Sequence, residues 1–181
     1  MTPTTRAATV VALAMGLLVS CSTAPATKEE RGKLLKEAGA SRQAWNKLDP
    51  GVEAFAKKGY GYALFPEITK GGAGIGGAYG RGVVYEQGQH IGYADLTEGS
   101  LGPQLGGQTY SELIVFENKA AMDRFKANQF SFGATASAVI PKAGTATSTQ
   151  FIDAVAVFVR PITGVMAEAA LAGQKITYVP N

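Results

Sequence analysis

The sequence predicts an α+β fold: a curved antiparallel sheet of about eight strands tending to a barrel, with helices at the N-terminus and one short inserted helix. Three observations predict it. Two helix starts with well-formed caps lie early in the chain, at Thr27-Lys28-Glu29-Glu30 and at Asp49-Pro50. Short β-branched and aromatic runs, separated by turns bearing glycine or proline, fill most of the chain after Gly59. Among them, Gly71–Glu86 reads GGAGIGGAYGRGVVYE and sets seven glycines (Gly71, Gly72, Gly74, Gly76, Gly77, Gly80 and Gly82) before Val83, Val84 and Tyr85.

The chain of 181 residues opens with Arg6 as its only charge before Lys28. Ala7–Val19 runs apolar but for Thr9, too short to span a bilayer but suited to the core of a signal peptide. Leu18-Val19-Ser20-Cys21 comes directly after it. An apolar residue, two small or β-branched ones and a cysteine resemble the bacterial lipobox. That resemblance implies a leader over residues 1–20, with Cys21 as the new N-terminus carrying covalent diacylglycerol and palmitate. The competing reading is an ordinary secretory signal beside a chance or structural thiol. Two or three acyl chains anchor firmly where one holds only marginally. Cys21 is the single cysteine, so lipidation leaves no disulfide. Ser22 comes next rather than aspartate, which by resemblance to enterobacterial sorting favours the outer membrane, facing the periplasm. Residues 21–27 are then the lipidated cysteine and a small, proline-bearing tether, and residues 28–181 one domain.

Thr27 and Glu30 form a capping box, and Leu34, Ala38, Ser41, Trp45 and Leu48 recur as one stripe of a first helix. Gly39 allows a kink or two shorter helices, and the stripe faces either its own domain or a membrane surface. Asp49 caps a second helix with Pro50 at its first position, Val52, Phe55 and Ala56 on its apolar face, and Gly59 at its stop. Tyr60–Phe65 is a strand closed by Pro66. The glycine-rich strand runs to the turn Glu86-Gln87-Gly88-Gln89, and His90–Leu96 returns to a further turn at Thr97-Glu98-Gly99. Gln104–Glu117 is a strand. Asn118 caps a short helix over Lys119–Asn128, with Ala121, Met122 and Phe125 on one face. Phe130–Ile140, Phe151–Arg160 and Gln174–Val179 are further strands, and Val165–Leu171 is a strand or one or two helical turns.

The glycine run demands a physical reason, because glycine weakens a strand. Gly72, Gly74 and Gly77 satisfy G-x-G-x-x-G, yet a phosphate cradle needs a helix to begin there. Tyr79–Tyr85 is a strand former instead, and no Gly-Lys-Ser/Thr comes after it. The run therefore reads as a bent strand rather than a nucleotide site, with its glycines serving backbone shape.

Taken in order, several motifs resemble one family. Gly61–Pro66 (GYALFP) leads to Lys70 and the glycine run, then Val83-Val84, the hairpin and Gly102–Gln108 (GPQLGGQ). Leu113–Glu117, Phe132-Gly133 and Pro141-Lys142-Ala143-Gly144 complete the series. Over Trp45 to Ile176 this is similar to the SYLF-domain family of lipid-binding modules. The resemblance implies binding of acidic phospholipid. The chain departs from it at Tyr93-Ala94-Asp95-Leu96, where the family often carries Trp-Ser-x-Pro, and at Gly164–Glu168.

Catalytic chemistry finds little support. His90 is the only histidine and sits beside a turn, where a solvated side chain is the simpler reading than a metal ligand. Asp95, Glu98, Glu112 and Asp153 fall in no acid–base motif, and Ser100 lies in no nucleophile elbow. We expect no enzyme, no metal and no cofactor beyond the acyl group on Cys21. With residues 1–20 removed, 16 basic residues face 14 acidic ones, too even a balance for nucleic acid. Lys57, Lys58, Lys70 and Arg81 flank the glycine run and are the candidate contacts to lipid phosphate, or else scattered solubilising charges. The expected partner is membrane phospholipid, with neither nucleic acid nor nucleotide. The alternative is an envelope scaffold for a protein or cell-wall partner.

Overall fold

The computed structural model of the chain describes residues 25–130, 132, 138–140, 142, 144, 146–163 and 173–181. Cys21 and the start of its tether, most of the Phe130–Ile140 strand expected from sequence, and all of Val165–Leu171 lie outside these residues.

Helix α1 spans Lys28–Leu48 as one piece, so Gly39 does not divide it. Its capping box is complete: Glu30 N–H donates to Thr27 Oγ1 (3.1 Å) and Thr27 N–H to Glu30 Oε2 (3.2 Å). Leu34, Ala38, Ser41 and Trp45 are buried on the sheet, while Leu48 at the helix end is exposed. Helix α2, Pro50–Lys58, starts on Asp49, whose Oδ1 accepts from Gly51 N–H at 2.9 Å and whose Oδ2 accepts from Ala146 N–H at 2.9 Å. One buried carboxylate thus caps a helix and ties down the short helical turn at Ala146–Ser148. Helix α3, Lys119–Lys126, is capped by Asn118 and buries Ala121, Met122 and Phe125.

The described sheet has five strands rather than about eight, and it does not close into a barrel. Two very long strands replace four of the short ones expected. Strand β1 covers Gly61–Glu86 and β2 covers Gln89–Phe116, paired antiparallel along their length. They turn at Gln87-Gly88, both with positive φ, as a tight hairpin requires. Pro66 does not end a strand, because the ladder register shifts between Phe65 and Ile68, where a residue without N–H costs no ladder bond. Thr97-Glu98-Gly99 is no turn either: it pairs with Gly77–Tyr79 on one side, and Thr97 and Glu98 pair with Lys175 and Gln174 on the other. Strand β4, Val155–Thr163, pairs with the second half of β2 and runs through Pro161. Strand β5, Gln174–Pro180, pairs with Gly92–Glu98. The two-residue β3, Ala138–Val139, lies parallel to β4, so the sheet is mixed at that edge.

The seven glycines lie inside β1, and no helix begins on them. Their use is close approach rather than positive φ, at least where β1 doubles back on itself. A Cβ on Gly82 would stand 2.8 Å from the Phe65 ring and 3.0 Å from Leu64 O. One on Gly80 would stand 2.6 Å from Ile68 Cγ1 and 3.0 Å from Glu67 O. Gln87 N–H donates to Tyr60 O at 2.9 Å, closing the fold-back at its end. Strand alternation then sorts the core into two faces. Ala63, Phe65, Ile114, Phe116, Val157 and Val159 point inward with α3; Leu64, Leu113, Val115, Ala156 and Phe158 point toward α1 and α2.

Candidate functional site

The same alternation places every charged side chain of interest. Lys70 is two residues from Ile68, Glu112 two from Ile114, Glu98 two from Leu96 and Gln174 two from Ile176, so all four share the inward face. Lys70 Nζ lies 2.5 Å from Glu98 Oε1, with their side chains 17% and 3% exposed. Lys70 is therefore spent on a buried carboxylate, not held out at the surface. Glu112 is completely buried and, among the described residues, accepts only from Gln174 Nε2, at 3.3 Å. Desolvation, with Glu98 adding repulsion, pushes its carboxyl up to about 8, so it keeps its proton at neutral pH. That proton makes Glu112 a donor beside Gln174, whose Oε1 has no partner, as Glu112 Oε1 has none. Tyr110 bonds Gln174 and has its phenol pKa raised by burial first, then by Glu112 and Glu98.

The opposite face carries α1 and a groove of about 580 Å³ between that helix and the sheet. Arg81 stands two residues before Val83 and Arg160 two after Phe158, so both guanidiniums point to this side. They line the groove with Lys33, Glu30, Glu37 and Glu67. Behind Arg160, Ser111 Oγ donates to Phe65 O at 2.8 Å, meets Ser41 Oγ at 2.9 Å and accepts from Trp45 Nε1 at 3.1 Å. Arg160 lies 5.8 Å from the Trp45 ring centre, a cation–π contact. Its Nε is shut away from solvent with no acceptor among the described residues, and burial lowers its pKa. Arg81 has Glu30 at 4.0 Å, but Glu30 Oε2 is already taken by the amides of Ala26 and Thr27.

The four cations that stand out in the sequence are thus not one patch. Arg81 is in the groove, and Lys70 is on the inward face. Lys57 and Lys58 are exposed in the last turn of α2, where Lys57 lies 3.6 Å from Glu53, itself bound by Arg42. Glu30 and Arg42 mark the two neighbourhoods on α1, about 18 Å apart at 1.5 Å per residue. Neither Arg160 nor Glu112 stands out in the sequence. Each is an ordinary charge in an apolar strand, and only the register shows what faces it. His90 is not a solvated turn side chain: its ring packs against Tyr85 and Tyr93, Nδ1 meets Asn181 Nδ2 at 3.4 Å, and desolvation lowers its pKa. Among the described residues no group of three or more His, Cys, Asp or Glu could hold a metal, and no helix is long and apolar enough to cross a membrane.

No curated protein matches the chain. Residues 97–179 match the Ysc84 family, described as Las17-binding protein actin regulator. The matched stretch is shorter than the Trp45–Ile176 span of the motif resemblance at its start. It takes in the second part of β2, α3, β3, β4 and nearly all of β5, and with them Glu98, Glu112, Arg160 and Gln174. This match over residues 97–179 is consistent with the resemblance of the chain's motifs to the SYLF-domain family.

Proposed function

We propose that this chain is a non-catalytic envelope lipoprotein, anchored through Cys21 at the periplasmic face of the outer membrane, whose domain binds anionic phospholipid. The observation that carries the reading is the conjunction of the match over residues 97–179, consistent with a SYLF domain, with an N-terminal Leu18-Val19-Ser20-Cys21 that resembles a lipobox. Exposed Lys57 and Lys58 at the end of α2 supply surface charge, each worth about 1 kcal/mol near an anionic leaflet. Lys70 contributes none of it, being paired with Glu98. The actin link in the family description belongs to other members and has no counterpart in a periplasm.

Anchoring is tested by Cys21→Ser, which should abolish labelling with radioactive palmitate and leave the chain unprocessed or free of the membrane fraction; persistent label would contradict it. The headgroup claim is tested by Lys57→Glu with Lys58→Glu, which should weaken adsorption to phosphatidylglycerol vesicles without lowering the melting temperature. The second reading, a scaffold for a protein or glycan, predicts no effect of that pair on membrane association.

A further inference from the structure

We propose that the groove between α1 and the sheet is a phosphate site, with Arg160 and Arg81 as its ligands, and that its occupant is the headgroup phosphate of an anionic lipid. The inference rests on the lipid-binding reading and says where on the domain the headgroup sits. Arg160 carries it. Among the described residues no carboxylate lies within 4 Å of this guanidinium, which lies over the face of Trp45. A half-buried cation without an anion is unusual, because desolvation must be offset by pairing. Arginine's planar fork of donors matches a phosphate in two-point contact. Arg81 lines the same groove, and its nearest carboxylate is 4.0 Å away on a residue committed to capping α1. Of the other acids, Glu37 pairs with Lys33 at 3.7 Å, and Glu67 is exposed. The volume, about 580 Å³, lies within the range of small-molecule sites.

The position favours a lipid over free phosphate. Glu30, in the first turn of α1, lines one end of the groove. That turn is pinned: Pro25 is buried, Arg31 Nε donates to Pro25 O at 3.1 Å, and Arg31 lies over the Tyr93 ring at 5.4 Å. Whatever its conformation, the chain from Cys21 to Pro25 spans at most about 14 Å. Acylation at Cys21 would therefore hold the Glu30 end of the groove close to the membrane surface.

Trp45 is the only tryptophan and lies against Arg160, so its fluorescence reports on the groove. The full chain in dodecyl maltoside, which carries no phosphate, is titrated with phosphatidylglycerol in mixed micelles, with diacylglycerol, and with inorganic phosphate. We expect a saturable change with phosphatidylglycerol, none with diacylglycerol, and the same change with inorganic phosphate only at much higher concentration. Arg160→Gln should raise the phosphatidylglycerol midpoint by about tenfold or more, the loss expected of one charge-assisted contact. Arg81→Gln, on a side chain 39% exposed and so safe for folding, should raise it severalfold. Wild-type midpoints in both arginine variants, with folding intact by circular dichroism, would overturn the site while leaving vesicle adsorption to stand by itself. An equal midpoint for inorganic phosphate would overturn the lipid as occupant.

Discussion

Single residues here show how far identity differs from role. Lys70 and Arg160 are both isolated cations in apolar strands. One neutralises a buried carboxylate at 2.5 Å and the other faces a groove, and parity along the strand separates them. That parity is available in the sequence, but the partner strands are not, so neither pairing can be read from it. Glu112 yields a prediction at this scale. Its carboxyl stands at about 8 in the fold against an ordinary 4.5, so the folded state holds the proton more tightly. Its favourable contribution is complete below about pH 4.5 and is lost as pH rises through 8, the reverse of a salt-bridged carboxylate. Neighbouring Glu98 deepens the effect, and Lys70 neutralises Glu98 without bonding Glu112. Glu112→Gln keeps a donor for Gln174 without a titrating proton. Melting scans from pH 5 to 9 should show the wild type losing stability with pH and the variant losing less, so that the variant is the more stable at pH 9. Parallel curves for the two proteins would contradict the assignment.

At the scale of elements, caps were legible and strand lengths were not. Thr27, Asp49 and Asn118 cap helices where the sequence put them, because a cap is a local bond between side chain and nearby amides. Pro66 and Thr97-Glu98-Gly99 misled because their compensation is distant. Pro66 falls at a bulge in the ladder to β2, and polar Glu98 is tolerated inside a strand because Lys70 reaches it. The glycine run was legible as a bent strand, while which glycines are indispensable depends on the fold-back. A methyl at Gly80 or Gly82 meets backbone oxygen and packed side chains at 3.0 Å or less, whereas at Gly99 nothing lies within 4 Å. Gly80→Ala and Gly82→Ala should each destabilise by about 1–3 kcal/mol, the usual cost of overpacking. Gly99→Ala should fall within about 0.5 kcal/mol of wild type, as surface changes do. Denaturant melts of the three variants check the contrast, and equal losses would mean that β1 does not double back as described.

At the scale of the whole molecule, the proposed acyl anchor and the proposed lipid-binding domain would act on the same membrane. The resemblance to the SYLF-domain family, with which the match over residues 97–179 is consistent, was legible from the order of short motifs, because glycine and proline positions mark backbone shape. The barrel expected from many short strands was not realised, since two bent strands of 26 and 28 residues do the work of several. The central claim is that the domain itself recognises anionic membrane, apart from its acyl chains. With only a slight net positive charge, that attraction must come from local cations and fade as salt rises, since the Debye length falls from about 10 Å at 0.1 M to about 3 Å at 1 M. The most direct measurement is sedimentation of the Ser22–Asn181 fragment with phosphatidylglycerol vesicles and with neutral vesicles, at low and high salt. Binding to phosphatidylglycerol is expected at low salt, with markedly less at 1 M and little to neutral vesicles. Equal binding to both, or none to either, would contradict the claim.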